Sequence, residues 1–140
     1  MDRRLRPMLA VSVATLILGC SPTHESGEGR DGTPVAGRWY SVEQVQTGSK
    51  VFQDHCAQCH GANAAGSDKG PPLVHDIYNP GHHADYAFVL AAQRGVRQHH
   101  WPYGDMPPQP QVSEKDLGNI IRYVRELQAA NGIQYRPHNM

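Results

Sequence analysis

His55-Cys56-Ala57-Gln58-Cys59-His60 is the stretch on which the reading of this 140-residue chain turns. Two thiols separated by two residues can both reach the vinyl groups on one edge of a porphyrin and bond to them as thioethers. The next residue, His60, then falls below the ring with an imidazole nitrogen aimed at iron. Cys-x-x-Cys-His is therefore the signal for covalent c-type haem attachment. Other chemistries also use paired cysteines. A structural zinc site needs two further ligands, usually a second Cys or His pair at matching spacing, and the chain has no second Cys pair. A thioredoxin-like redox pair expects a βαβ context, and no alternating strand pattern of useful length is present. A disulfide between Cys56 and Cys59 would close a very tight ring and leave His60 unexplained. The expected cofactor is one covalent haem c.

Iron beneath a porphyrin needs a sixth ligand or an open face. Met1 and Met8 belong to a removable N-terminal segment, and Met140 is the last residue. That leaves Met106, in Tyr103-Gly104-Asp105-Met106-Pro107-Pro108. Its prolines forbid helix and hold the loop extended. A soft thioether suits ferrous iron, and His/Met ligation raises the potential. His99 and His100 compete for the position and would give bis-His iron of lower potential. The pairs His82-His83 and His99-His100 also read as haem-edge or surface residues, or as ligands of a second metal such as copper. Arg97, Trp101 and Tyr103 are candidates for bonding a haem propionate. A ligating imidazole normally donates its other N–H to an acceptor, and the carbonyl of Pro71 in Gly70-Pro71-Pro72-Leu73 is the expected partner. The same segment also reads as an ordinary proline-rich turn.

The start of the chain is not fold. Arg3, Arg4 and Arg6 precede the apolar run Met8–Gly19, which is too short to span a bilayer comfortably and has the shape of a secretory signal peptide. Its end, Ile17-Leu18-Gly19-Cys20, resembles the lipobox of bacterial lipoproteins. That resemblance implies acylation of Cys20, which becomes the mature N-terminus. Residues 21–37 hold almost nothing that can be buried, and they read as a flexible tether with a reach of roughly 20–25 Å. The sequence thus divides into a signal peptide (1–19), a lipidated Cys and tether (20–37), one domain (38–134) and a short tail (135–140). Lys plus Arg and Asp plus Glu are 13 each, and loss of residues 1–19 leaves a formal −2. This balance excludes a strongly basic nucleic-acid binder.

Three helices are expected. One covers 41–55, with Ser41 and Gln44 spaced as a capping box, and delivers Cys56 at its end. A second covers 85–94, capped by Asp85 and stopped by Gly95. A third begins at the cap Ser113, carries the stripe Leu117, Ile120, Ile121, Val124 and Leu127, and ends at Gly132. With the haem pentapeptide, Gly70-Pro71-x-Leu73 and Met106-Pro107 in this order, residues 38–134 resemble a class I mono-haem bacterial cytochrome c. The resemblance implies a small all-α fold wrapped around the haem, with first and last helices crossing. It places Gly48, Phe52 and Tyr123 at that crossing and turns Ile120 and Val124 toward the haem.

Full ligation leaves iron no open position for substrate, so the expected role is one-electron transfer rather than enzymic catalysis. The carrier would be anchored by lipid to a bacterial membrane, facing the periplasm. Its donor would be a quinol-oxidising complex or a dehydrogenase, and its acceptor a terminal oxidase or reductase. A haem sensor, a small peroxidase-like protein and a fixed cytochrome subunit of a respiratory complex are the competing readings.

Overall fold

A computed structural model describes residues 41–137. The expected signal peptide, the lipidated Cys20 and the tether lie outside the described residues, as do residues 38–40 and 138–140. Four α-helices run through the described part: α1 (Val42–His55), α2 (Ala57–His60), α3 (Asp85–Arg94) and α4 (Glu114–Ala130). Two 3-10 turns, Ala62–Ala64 and Asp76–Tyr78, lie between α2 and α3. Among the described residues there is no strand, and extended pairing is confined to an isolated Val96–Met106 bridge. None of the described helices is long and apolar enough to cross a membrane.

The helix ends follow local chemistry. At α1 the Ser41 hydroxyl accepts from the Gln44 N–H, and the Gln44 side chain accepts from the Ser41 N–H, both at 3.2 Å. At α4 the Ser113 hydroxyl accepts from Asp116 N–H at 3.1 Å, and Asp116 also complements the helix dipole. The start of α3 departs from expectation. Its cap is Ala84, which makes no side-chain cap bond, and Asp85 is the first helical residue. The Asp85 carboxylate is engaged by Arg125 instead, 2.8 Å away. The end of α4 is also one residue earlier than the glycine: Asn131 is the cap, and Gly132 follows at φ +75°.

The first and last helices cross, and Gly48 is where they touch. A β-carbon on Gly48 would run into the Asn119 carbonyl and stand 3.0 Å from Tyr123 Cβ. Directly beside this contact the rings of Phe52 and Tyr123 pack with centroids 5.6 Å apart. Phe52, Ala64, Ile120, Tyr123 and Val124 form the buried core, with Val45, Leu73, Phe88 and Leu127 packed against it. The Tyr123 hydroxyl reaches out of this core to donate to Asn63 at 3.1 Å. One helix crossing thus fixes both the end of α1, where Cys56 sits, and the loop that follows the pentapeptide.

Gly48→Ala tests the crossing. Alanine gains about 1 kcal/mol of helix propensity over glycine. The collision is with a backbone carbonyl that cannot swing away, so the overpacking cost lies near the upper end of its usual range, about 3 kcal/mol. The expected net loss of about 2 kcal/mol lowers the thermal midpoint by roughly 10 °C in a domain of this size. An unchanged melting curve would contradict the close approach.

Candidate haem-attachment site

The pentapeptide occupies the turn where α1 passes into α2. Cys56 ends α1, its N–H bonded to the Phe52 carbonyl at 2.8 Å, so the first thiol is tied directly to the core. Gly61 closes α2 at φ +73°, and the chain then folds back beneath it. Ser67 donates its hydroxyl to the Cys59 carbonyl, and Gly70 packs so closely there that a β-carbon would lie 2.8 Å from the same oxygen. The N–H of Leu73 bonds the Ala64 carbonyl at 2.8 Å. This return loop sets the Pro71 carbonyl 2.9 Å from His60 Nδ1. The Nδ1–H donates to that carbonyl, which leaves Nε2 with its lone pair. Burial pushes the His60 imidazole below its usual range, and the Pro71 bond works in the opposite direction. The ring is therefore neutral at neutral pH, the state a metal ligand needs.

No disulfide joins Cys56 and Cys59, so both sulfurs are available to a porphyrin. Burial, reinforced by the neighbouring Cys59, pushes the Cys56 thiol up to about 11. A redox-active pair relies on a depressed thiol pKa, so the environment of Cys56 argues against one.

These groups open onto a cavity of about 550 Å³. Cys56, Cys59 and His60 lie on its wall, and so does Met106. Phe88, Leu90, Val96, Leu117 and Ile120 line much of the rest. Val124, expected to face the haem, is instead fully buried in the core behind, and Leu117 takes a place on the wall. Met106 is positioned by its backbone. It exchanges two hydrogen bonds with Val96, each of 2.9 Å. The Gln109 N–H bonds the Ala92 carbonyl at 2.6 Å, which pins the loop's far end to α3. Gly95 must be glycine at φ +76°, since a β-carbon would crowd Met106 and Pro108.

The other residues expected around the haem divide. Tyr103, His83, His99, His100 and Trp101 line the cavity, whereas Arg97 is exposed and off its wall. The Trp101 indole N–H is buried without an acceptor of good geometry. It stands near the Tyr78 phenol, which burial pushes up against the pull of that N–H. A buried N–H with no partner costs about 1–3 kcal/mol. A carboxylate of a bound group would satisfy it. The orphan donor, the apolar walls and the paired sulfurs of Cys56 and Cys59 all fit a haem.

Sequence reasoning did not single out Arg125 and Gln128. Both are buried. Arg125 donates to Asp85 at 2.8 Å, to the carbonyls of Tyr78 (2.7 Å) and His83, and to Gln128 (2.7 Å). Gln128 in turn donates to the carbonyls of Leu73 at 2.8 Å and Tyr78 at 3.1 Å. The pair straps the 73–85 segment onto α4. The available signal was position: Arg125 and Gln128 follow Ile121 at helical spacing, on a face that should be apolar.

A helical shell built around paired thiols, a fixed imidazole and an apolar cavity defines a small all-α c-type haem protein. The sequence pattern described as Cytochrome c matches residues 45–128, and the chain belongs to that family. Its haem c is held covalently. A curated relative, the cbb3-type cytochrome c oxidase subunit CcoP of Rubrivivax gelatinosus, is 33% identical over 100 residues. The match covers 69% of this chain and 28% of the relative, so the chain spans little more than a quarter of that protein's length.

Arg125→Ala should destabilise the holoprotein by about 3 kcal/mol, because it leaves buried acceptors without a donor. Urea unfolding would read this as a lower midpoint. A loss below about 1 kcal/mol would show that water replaces the guanidinium and that the strap is not structural.

Proposed function

We propose that the chain is a one-electron carrier of a respiratory chain, with a single haem c bound through Cys56 and Cys59 and axial ligands His60 and Met106. One observation carries the reading: His60 and Met106 stand on walls of one cavity, and each is held in place without help from the haem. The Pro71 carbonyl orients the imidazole, and Val96 clamps the Met106 backbone on both sides. His99 and His100 are less well placed to compete, since both are exposed and packed against other imidazoles.

The haem, when bound, supplies an iron whose charge changes by one with no bond made to a substrate. The protein's part is to keep that change inexpensive. Pro71 holds the proton on Nδ1, so Nε2 remains a neutral donor through both oxidation states. Leu117, Ile120, Leu90 and Phe88 exclude water from the walls, and a drier site favours the less charged, reduced state. Trp101 offers its N–H to an acidic edge of the bound group.

With His60 and Met106 both holding the iron, no position would remain open for a substrate, and the protein would act as a carrier rather than an enzyme. The basic and apolar N-terminal pattern ending at Cys20 supports export and a lipid anchor in a bacterial membrane, facing the periplasm. Residues 20–37 would then tether the domain 38–134, which raises its local concentration beside membrane partners. A quinol-oxidising complex or dehydrogenase is the fitting donor, and a terminal oxidase or reductase the fitting acceptor. The likeness to an oxidase subunit favours one second reading: a cytochrome subunit fixed within such a complex.

Met106→Ala tests the ligand assignment. The haem should remain attached while its potential falls by an amount on the order of 0.2 V, a part of the ~0.8 V that axial ligands span. The ferrous variant should also bind CO rapidly where the parent does not. An unchanged potential would move the ligand to His99 or His100, and rapid CO binding by the parent would favour a sensor or peroxidase-like role.

A further inference from the structure

Four histidines gather at one edge of the haem cavity, drawn from two separate segments. His82 and His83 come from the turn after Tyr78, and His99 and His100 from the loop before Met106. Their rings lie in mutual contact, with centroids 4.6 Å apart for His82–His83, 5.2 Å for His83–His100 and 5.3 Å for His82–His100. One ligand nitrogen from each of His82, His83 and His100 falls within 4.8 Å of the others. Electron transfer through His60 and Met106 has no use for this arrangement. We propose that His82, His83 and His100 bind one divalent transition-metal ion of the zinc and copper class at the rim of the haem cavity.

The spacing already approaches coordination geometry. His82 Nε2 and His100 Nε2 are 3.3 Å apart. Two imidazole nitrogens on a tetrahedral ion at 2.0–2.1 Å stand about 3.4 Å apart. Without metal one of these nitrogens donates its N–H to the other; with metal that ring would carry its proton on Nδ1, and both Nε2 lone pairs would face the ion. The third ligand is oriented in advance. His83 Nδ1–H donates to the Ile77 carbonyl at 2.8 Å, so Nε2 carries the lone pair, and ligating histidines are commonly held by such a bond.

The turn that presents the pair is itself fixed. The N–H groups of His82 and His83 both bond the Asn79 carbonyl, at 3.0 and 2.9 Å, and the buried Arg125 grips the His83 carbonyl. On the other segment, Trp101 anchors the chain beside His100 by packing edge-on against His75, with centroids 5.0 Å apart. Three imidazoles suit zinc, copper and nickel better than magnesium or calcium. Solvent completes the shell, since His82 and His100 are exposed.

The place matters for function. His83 and His100 also line the haem cavity, so the ion would sit beside the redox centre. Its positive charge favours the reduced state of the iron, and the potential of the metal-bound protein is therefore higher. This coupling rests on the haem occupying the cavity, whereas metal binding itself does not.

Holoprotein purified without a histidine tag and stripped with chelator would be titrated with zinc chloride by calorimetry. The expected result is one zinc per chain, bound at least tenfold more weakly by His82→Gln and by His100→Gln. Both substitutions are at exposed positions, and an unaltered haem absorption spectrum confirms that the variants are folded. No saturable zinc binding, or equal binding by parent and variants, overturns the site. Redox titration with and without zinc tests the coupling: the potential should rise in the parent and stay fixed in His82→Gln. Zinc binding with no change in potential would overturn the coupling.

Discussion

The close approach of α1 to α4 at Gly48 is the constraint on which the rest of the molecule depends. Only a residue without a side chain lets α1 lie against the Asn119 carbonyl. That contact brings Phe52 onto Tyr123 and anchors the Cys56 N–H on the Phe52 carbonyl. The thiols therefore leave the core at a fixed point and in a fixed direction. The return loop under α2 adds the second fixed element, the Pro71 carbonyl against His60. A haem joined at two thiols has little freedom left, and backbone bonds to Val96 hold the Met106 loop on the far wall of the cavity. A domain of this size with few aromatics has a small core, and a macrocycle at its centre enlarges it.

Much of this was legible in the sequence because it is local. The capping box at Ser41, the stripe from Leu117 to Leu127 and the spacing of Cys56, Cys59 and His60 each declare their chemistry within one or two turns of helix. The proline-rich runs around Pro71 and Met106 announced extended loops, and the structure sets the Pro71 carbonyl against His60 and Met106 on the cavity wall. The readings that failed depended on partners far along the chain. Asp85 looked like a cap because nothing local showed Arg125, which lies forty residues away and takes its carboxylate. Val124 was expected at the haem because the family resemblance implied it, and neither that resemblance nor the stripe fixes the rotation of α4 relative to the cavity. The strap of Arg125 and Gln128 was hidden for the same reason: a polar residue on an apolar face has no meaning until the loop carbonyls that need it are in view.

The histidine pairs show the same division between what composition reveals and what folding adds. Two adjacent pairs in a sequence are compatible with surface, haem edge or metal. The Asn79 turn and the Met106 loop bring them to one place, and the Ile77 carbonyl chooses a tautomer for His83. The site for electron transfer and the imidazole cluster then share a wall. A carrier of electrons is in this way joined to a surface that can take up a cation, and the link between them is ordinary electrostatics across a short distance.

The central claim is that both thiols of the pentapeptide are spent on one porphyrin. Mass analysis of protease-cleaved protein, matured in a host able to attach haem and treated with a thiol-alkylating reagent under denaturing conditions, tests it directly. The account predicts that the peptide containing Cys56 and Cys59 carries a single haem and takes up no alkyl group. Alkylation of both cysteines, with the pigment extracted free of the chain, would contradict it.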